Sequence, residues 1–168
     1  MGATSSGPAT VTLPSDEEIL ITRRFDAPRD LVYRAWTTPE LVKRWWSGRR
    51  GEMRSADIDL RVGGSWRYVM VAEGGHEVAF HGEYREIVPN ERIVTTEVFE
   101  MPGVDPAAAD AGAPLNVVTF AEAGGRTTLE LLVRCSSREL RDMILESGME
   151  TGMQEQMELL EEVARSLR

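Results

Sequence analysis

Two periodicities divide the chain. From Ile19 to Phe25 the positions alternate, with Ile19, Ile21, Arg23 and Phe25 in one set and Leu20, Thr22 and Arg24 in the other, so the spacing predicts an amphipathic strand. The alternation returns after Ser47-Gly48 and holds to about residue 134. Ala56, Ile58 and Leu60 alternate with Asp57, Asp59 and Arg61, and Trp66, Tyr68 and Met70 alternate with Arg67, Val69 and Val71. Further runs cover Val78 to Val88, Arg92 to Phe99, Asn116 to Ala121 and Arg126 to Val133. Turn residues separate the runs at Gly63-Gly64, Gly74-Gly75, Pro89-Asn90 and Gly124-Gly125. The expectation is an antiparallel meander of about seven strands.

Helical spacing occupies the rest. Leu31, Val32, Ala35 and Trp36 form one stripe between Pro28 and Thr37-Thr38-Pro39, and Pro39 restarts a short helix that ends in Trp45-Trp46. Near the C-terminus, Ser136 followed by Glu139 reads as a capping box. Leu140, Met143, Ile144, Met149, Met153, Met157, Leu160, Val163 and Leu167 then line one face of a long helix. Gly148 and Gly152 fall inside it. Each costs about 1 kcal/mol against alanine, which predicts a kink or a close approach there. With so much strand before it, the stripe is expected to lie across the concave face of the sheet, giving an α+β fold with two short helices after strand one.

Residues 1–16 are small, polar and proline-punctuated and are expected to form a disordered leader, leaving 17–168 as a single domain. The stretch from Glu100 to Pro114 is too long for a tight hairpin and too poor in large apolar groups to pack. The formal charge of -9, from 28 acidic and 19 basic residues, argues against nucleic acid and against an anionic membrane surface as partners. Cys135 is the one cysteine, which excludes an internal disulfide, and neither a signal peptide nor a membrane span is legible. These features lead to the expectation of a cytoplasmic protein, a monomer or weak homodimer.

The element order and several local sequences resemble the START/Bet v 1-like helix-grip superfamily (SRPBCC), specifically its AHSA1-like (activator of Hsp90 ATPase homologue) domains. The pieces that carry the resemblance are Phe25-Asp26-Ala27-Pro28-Arg29-Asp30-Leu31-Val32-Tyr33-Arg34-Ala35-Trp36-Thr37, Trp45-Trp46, Val62-Gly63-Gly64-Ser65-Trp66-Arg67, Gly82-Glu83-Tyr84-Arg85-Glu86-Ile87-Val88-Pro89 and Ser147-Gly148-Met149-Glu150-Thr151-Gly152. The resemblance covers roughly residues 17–167 and implies a sheet gripping the C-terminal helix around a cup-like apolar interior. The superfamily includes ligand binders, cyclases, chaperone partners and resistance proteins, so fold alone does not fix function.

Catalytic patterns are sparse. His76 and His81 are the only histidines and lack metal-ligand spacing, Asp57 and Asp59 fit a solvated strand face, and Cys135 has no histidine partner. No metal and no cofactor are implied, and an enzyme is the less favoured reading. The residues expected to line an apolar cavity are Trp46, Trp66, Tyr68, Met70, Phe80, Phe99, Met149, Met153 and Met157, with Arg67 and His81 as polar contacts. Methionine at this spacing is ordinary core filler, and its flexible thioether equally suits an adaptable pocket wall. The expected function is binding of a hydrophobic small molecule, with an Hsp90-type chaperone cofactor or stress-response protein, and a cyclase or hydrolase using cavity polar groups, as alternatives. The resemblance to enediyne self-sacrifice resistance proteins, in which a glycine is cleaved to quench the drug, adds Gly103 as a candidate sacrificial residue. The commoner reading of Gly103 is a turn glycine after Pro102, at the second central position of a type II turn.

Overall fold

The computed structural model describes residues 7–100 and 112–168. Within them nine strands form one open sheet: β1 (Thr10–Thr12), β2 (Glu18–Phe25), β3 (Gly51–Ile58), β4 (Ser65–Ala72), β5 (Glu77–Val88), β6 (Arg92–Thr96), β7 (Val98–Phe99), β8 (Leu115–Ala123) and β9 (Arg126–Arg134). The helices are α1 (Arg29–Thr37), α2 (Pro39–Val42), α3 (Arg138–Glu146) and α4 (Met149–Ser166). All pairings are antiparallel in the order β1-β2-β9-β8-β6-β5-β4-β3, with β7 on β5, so the chain has the expected α+β helix-grip architecture.

The strand number exceeds the expected seven for two reasons. The run from Arg92 to Phe99 breaks at Glu97, so that β6 pairs with the second half of β5 while β7 pairs with its first half. The break coincides with Gly82, where an added Cβ would overlap the Thr96 carbonyl oxygen and Trp66 Nε1. Only glycine allows that approach. The other addition is β1, inside the stretch expected to be a disordered leader. Residues 7–16 correct that expectation: Thr10, Val11 and Thr12 pair with Thr22, Ile21 and Leu20. The Gln154 side chain also holds Ala9 at both ends, accepting from its N–H at 2.9 Å and donating to its carbonyl at 2.8 Å. A short polar stretch with little hydrophobic pattern of its own is ordered because a sheet edge and an amide side chain satisfy its backbone.

The long C-terminal run is two helices. The N-cap of α3 is Ser137, whose hydroxyl accepts from Leu140 N–H at 3.1 Å, one residue beyond the Ser136 expected from the capping-box pattern. Gly148 then adopts φ 83° and caps α4, so it supplies the kink. Gly152 supplies no close approach: an added Cβ there would meet nothing within 4 Å. Gly152→Ala is therefore expected to raise stability by about 0.5–1 kcal/mol through helix propensity, read as a higher Tm in thermal melting. A fall would mean that the helix is not continuous through that residue.

The core lies between one face of the sheet and α4. Ile19, Ile21 and Phe25 of β2, Val118 and Phe120 of β8 and Leu129 of β9 are nearly inaccessible, and Met153, Met157, Leu160 and Val163 of α4 join the same cluster. Among the described residues no helix is long and apolar enough to cross a membrane.

Candidate functional site

The alternation of β4 and β5 decides what faces the interior. Trp66 pairs with Gly82, Tyr68 with Phe80 and Met70 with Val78, so these share one face, while Arg67 pairs with His81 on the other. Phe99 of β7 pairs with Phe80 and so lies on the same face, at its exposed margin. The turn after α2 brings in Trp46, whose carbonyl accepts from the Gln156 side chain of α4.

These rings form a ladder. Trp66 and Tyr68 have centroids 4.7 Å apart, Tyr68 and Trp46 5.2 Å, Trp46 and Phe80 4.8 Å, and Phe80 and Phe99 5.0 Å, with edge contacts after the first pair. It runs from Trp66 and Tyr68, both buried, to Phe99, which is 47 % exposed. From α4, Met153 and Met157 are buried in the same cluster, and Met149, partly buried, packs on it with Trp46 and Phe80. Met70 is half-buried at the far end of β4. The adjacent Trp45 turns the other way, donating from Nε1 to the Ala35 carbonyl at 3.0 Å and packing on Trp36.

Arg67 and His81 do not contact this interior. They lie on the opposite face of the sheet, where Glu100 joins them. Arg67 donates from Nε and Nη2 to the two Glu100 oxygens at 2.9 Å each, and His81 Nδ1 is 2.9 Å from Oε2. The paired guanidinium, with His81 adding to it, holds the Glu100 carboxyl well below its ordinary 4.5, at about 2. Gly103 lies outside the described residues.

Two surface grooves among the described residues are lined mainly by charged side chains. A groove of about 530 Å³ is lined by Arg49, Arg50, Ala72, Glu73 and Glu155, and a shallower one by Glu162, Arg165, Ser166 and Arg168. Neither groove is lined by residues of the ladder. Among the described residues no cluster of three or more His, Cys, Asp or Glu is disposed to hold a metal.

The family model for "Activator of Hsp90 ATPase homolog 1-like protein" matches residues 26–165. The chain belongs to this family. A protein of Rhodobacter sphaeroides superposes with a TM-score of 0.84 at 22 % identity, covering 95 % of this chain and 99 % of that one. A protein of Mycobacterium smegmatis gives a TM-score of 0.82 at 22 % identity over 96 % and 100 %. An AHSA1-like protein of Aeromonas hydrophila gives 0.62 at 17 % identity over 88 % and 93 %. At these identities the likeness is one of fold. No curated protein matches the sequence significantly. The AHSA1-like, Bet v 1-like fold is typical of proteins with a ligand-binding cavity.

Three residues of this AHSA1-like domain escaped the sequence reading. Glu100 follows the last strand pattern before the long connection to Pro114, and nothing local marks it as the partner of Arg67. Gln156 follows Met153 by three positions, on the same side of α4, but its bond to a turn carbonyl has no sequence signal. Gly82 did carry one, since a glycine inside a strand pattern marks close backbone approach.

The Glu100 pairing has a pH consequence. Its folded-state pKa is depressed, so its contribution is present above the unfolded value near 4.5 and is lost as pH falls through about 2. A carbon-13 NMR titration of the Glu100 carboxyl should show a midpoint near 2, rising toward 4.5 in Arg67→Gln. An unchanged midpoint in that variant would remove Arg67 as the main cause.

Proposed function

We propose that the protein binds an apolar small molecule between the sheet and α4, seating it against the ladder and the methionine wall. The observation that supports this reading is the ladder itself: five aromatic rings in unbroken contact from a buried Trp66 to a half-exposed Phe99. A large exposed ring continuous with the interior offers an entry point, and the thioethers of Met149, Met153 and Met157 can repack around varied shapes. Binding then proceeds by displacement of rings rather than by filling an open hole.

The test is thermal. An apolar ring compound held at about 100 times its Kd adds about 2.7 kcal/mol, which for a domain of this size raises Tm by roughly 5–10 °C. Phe99→Ser, at a half-exposed position, should keep the unliganded Tm within a few degrees and reduce the ligand-induced rise. No rise with any of a panel of fused-ring compounds would remove the reading.

A finer form of the same proposal is protection of a producer against a reactive natural product, with Gly103 as the residue cut. Incubation with a reductively activated enediyne and fragment mapping by mass spectrometry tests it. Specific cleavage that Gly103→Ala abolishes supports sacrifice, and cleavage elsewhere or none leaves sequestration alone.

A further inference from the structure

Glu97 and Glu161 both carry a carboxyl group into the interior, and they differ in what meets it. Glu161 has Arg23 at 3.5 Å. Glu97, at the break between β6 and β7, has no cation beside it among the described residues. Its direction follows from strand register. Thr95 pairs with Tyr84 on one side and Asn116 on the other, Tyr84 belongs to the core, and Glu97 lies two residues on from Thr95. The Asn116 side chain fixes it there, donating from Nδ2 to Glu97 Oε1 at 3.2 Å. Among the described residues no donor meets Oε2. Burial pushes the carboxyl above its ordinary value, and the Asn116 hydrogen bond works against that rise.

The interior is closed unevenly around this group. On β8 and β9, Val118, Phe120 and Leu129 are nearly inaccessible, whereas Asn116 and Leu131 on the same face are only half-buried. Helix α3 starts shortly after β9, beside the end of β8 that carries Asn116, and its Leu140 and Ile144 pack on the core while remaining half-buried. Glu97 itself is half-buried. The carboxyl therefore borders the less tightly packed end of the interior. Aromatic rings stand on its other side: the Glu97 charge reaches the Tyr68 phenol, and Tyr68 sits between Trp66 and Trp46 in the ladder.

A carboxylate in such a place is costly without a counter-charge, and an ammonium group arriving with a ligand supplies one. Taking the interior as the ligand site, we propose that it selects an apolar ring compound bearing a protonated aliphatic amine, which donates to Glu97 Oε2 and lies against the ring of Tyr68. The apolar body displaces rings of the ladder, and Glu97 with Asn116 decides which end of the ligand enters. The formal charge of -9 favours the approach of a cation.

Naphthylmethylamine, naphthylmethanol and ethylnaphthalene, all substituted at the same ring carbon, test this, since they share a shape and end in an ammonium, a hydroxyl or a methyl group. At neutral pH the wild-type protein should bind the amine most tightly of the three. Glu97→Gln keeps the shape of the side chain and the acceptor for Asn116 while removing the charge. It should weaken the amine about thirtyfold or more, the effect of deleting one partner of a buried charge pair, and change ethylnaphthalene by no more than about twofold. Equal weakening of amine and ethylnaphthalene, or an amine no tighter than the alcohol in the wild type, would overturn the proposal and leave apolar binding standing. Failure of all three compounds to bind would remove the ligand reading and this proposal together. Carbon-13 labelling of glutamate carboxyls in the wild-type protein gives a readout independent of the variant's affinity. The Glu97 resonance, assigned by its loss in Glu97→Gln, should move with the amine and not with ethylnaphthalene. A Glu97 resonance unmoved by bound amine would contradict the contact.

Discussion

Glu161→Ala is expected to cost about 3–5 kcal/mol of folding stability, one of the two largest losses from a single substitution in this chain. Glu161 of α4 and Arg23 of β2 are 6 % and 2 % exposed and meet at 3.5 Å across the core. Glu161 Oε2 also accepts from the Asp26 backbone N–H at 2.8 Å, and Arg23 donates from Nη1 to the Arg24 carbonyl at 3.1 Å with its guanidinium 4.8 Å from the Phe25 ring centre. Truncating Glu161 strands the guanidinium in an apolar layer between Ile21 and Phe25 and removes the acceptor of a strand-end amide. The double change Arg23→Met with Glu161→Leu should recover most of the loss, because it removes both charges at once. Urea unfolding of the three variants measures this. A loss under about 1 kcal/mol for Glu161→Ala would show that the pair is solvated and not part of the core.

Gly82→Ala is the other large effect, at about 3 kcal/mol or more. The added methyl would overlap backbone at Thr96, with the carbonyl carbon 2.8 Å away, as well as the Trp66 indole. A flexible side chain could swing aside, but the Thr96 carbonyl belongs to the junction of β6 and β7, and moving it disturbs their registers on β5. The expected result is a large drop in Tm or failure to fold, seen by circular dichroism on melting. A Tm within about a degree of wild type would mean that β6 does not cross β5 there.

The two substitutions also mark where the sequence was legible. Alternation alone put Ile19, Ile21, Arg23 and Phe25 on one face, and that is the buried face, arginine included. Its partner on a distant helix is invisible to periodicity, because tertiary pairing has no period. The same alternation separates Arg67 from Trp66 and Tyr68, so its place on the outer face is legible from strand geometry, against the expectation of an interior contact. Gly148 and Gly152 were indistinguishable as helix glycines. Only backbone conformation, with φ 83° at Gly148, shows which one breaks the run. The ordered strand at Thr10–Thr12 could not be read from its polar composition, since its stability comes from the β2 edge and Gln154.

An apolar ligand seated against the ladder is expected to lie between it and α4. Methionine methyl labelling with carbon-13 tests it most directly, because α3 and α4 present one exposed methionine and three on the core side. On titration with a fused-ring compound, the methyl resonances of Met149, Met153 and Met157 should shift along one saturable curve, while Met143, which is 65 % exposed, stays in place. Saturable binding that shifts Met143 and leaves Met153 and Met157 unmoved would put the ligand on the surface and rule out a site between the ladder and α4.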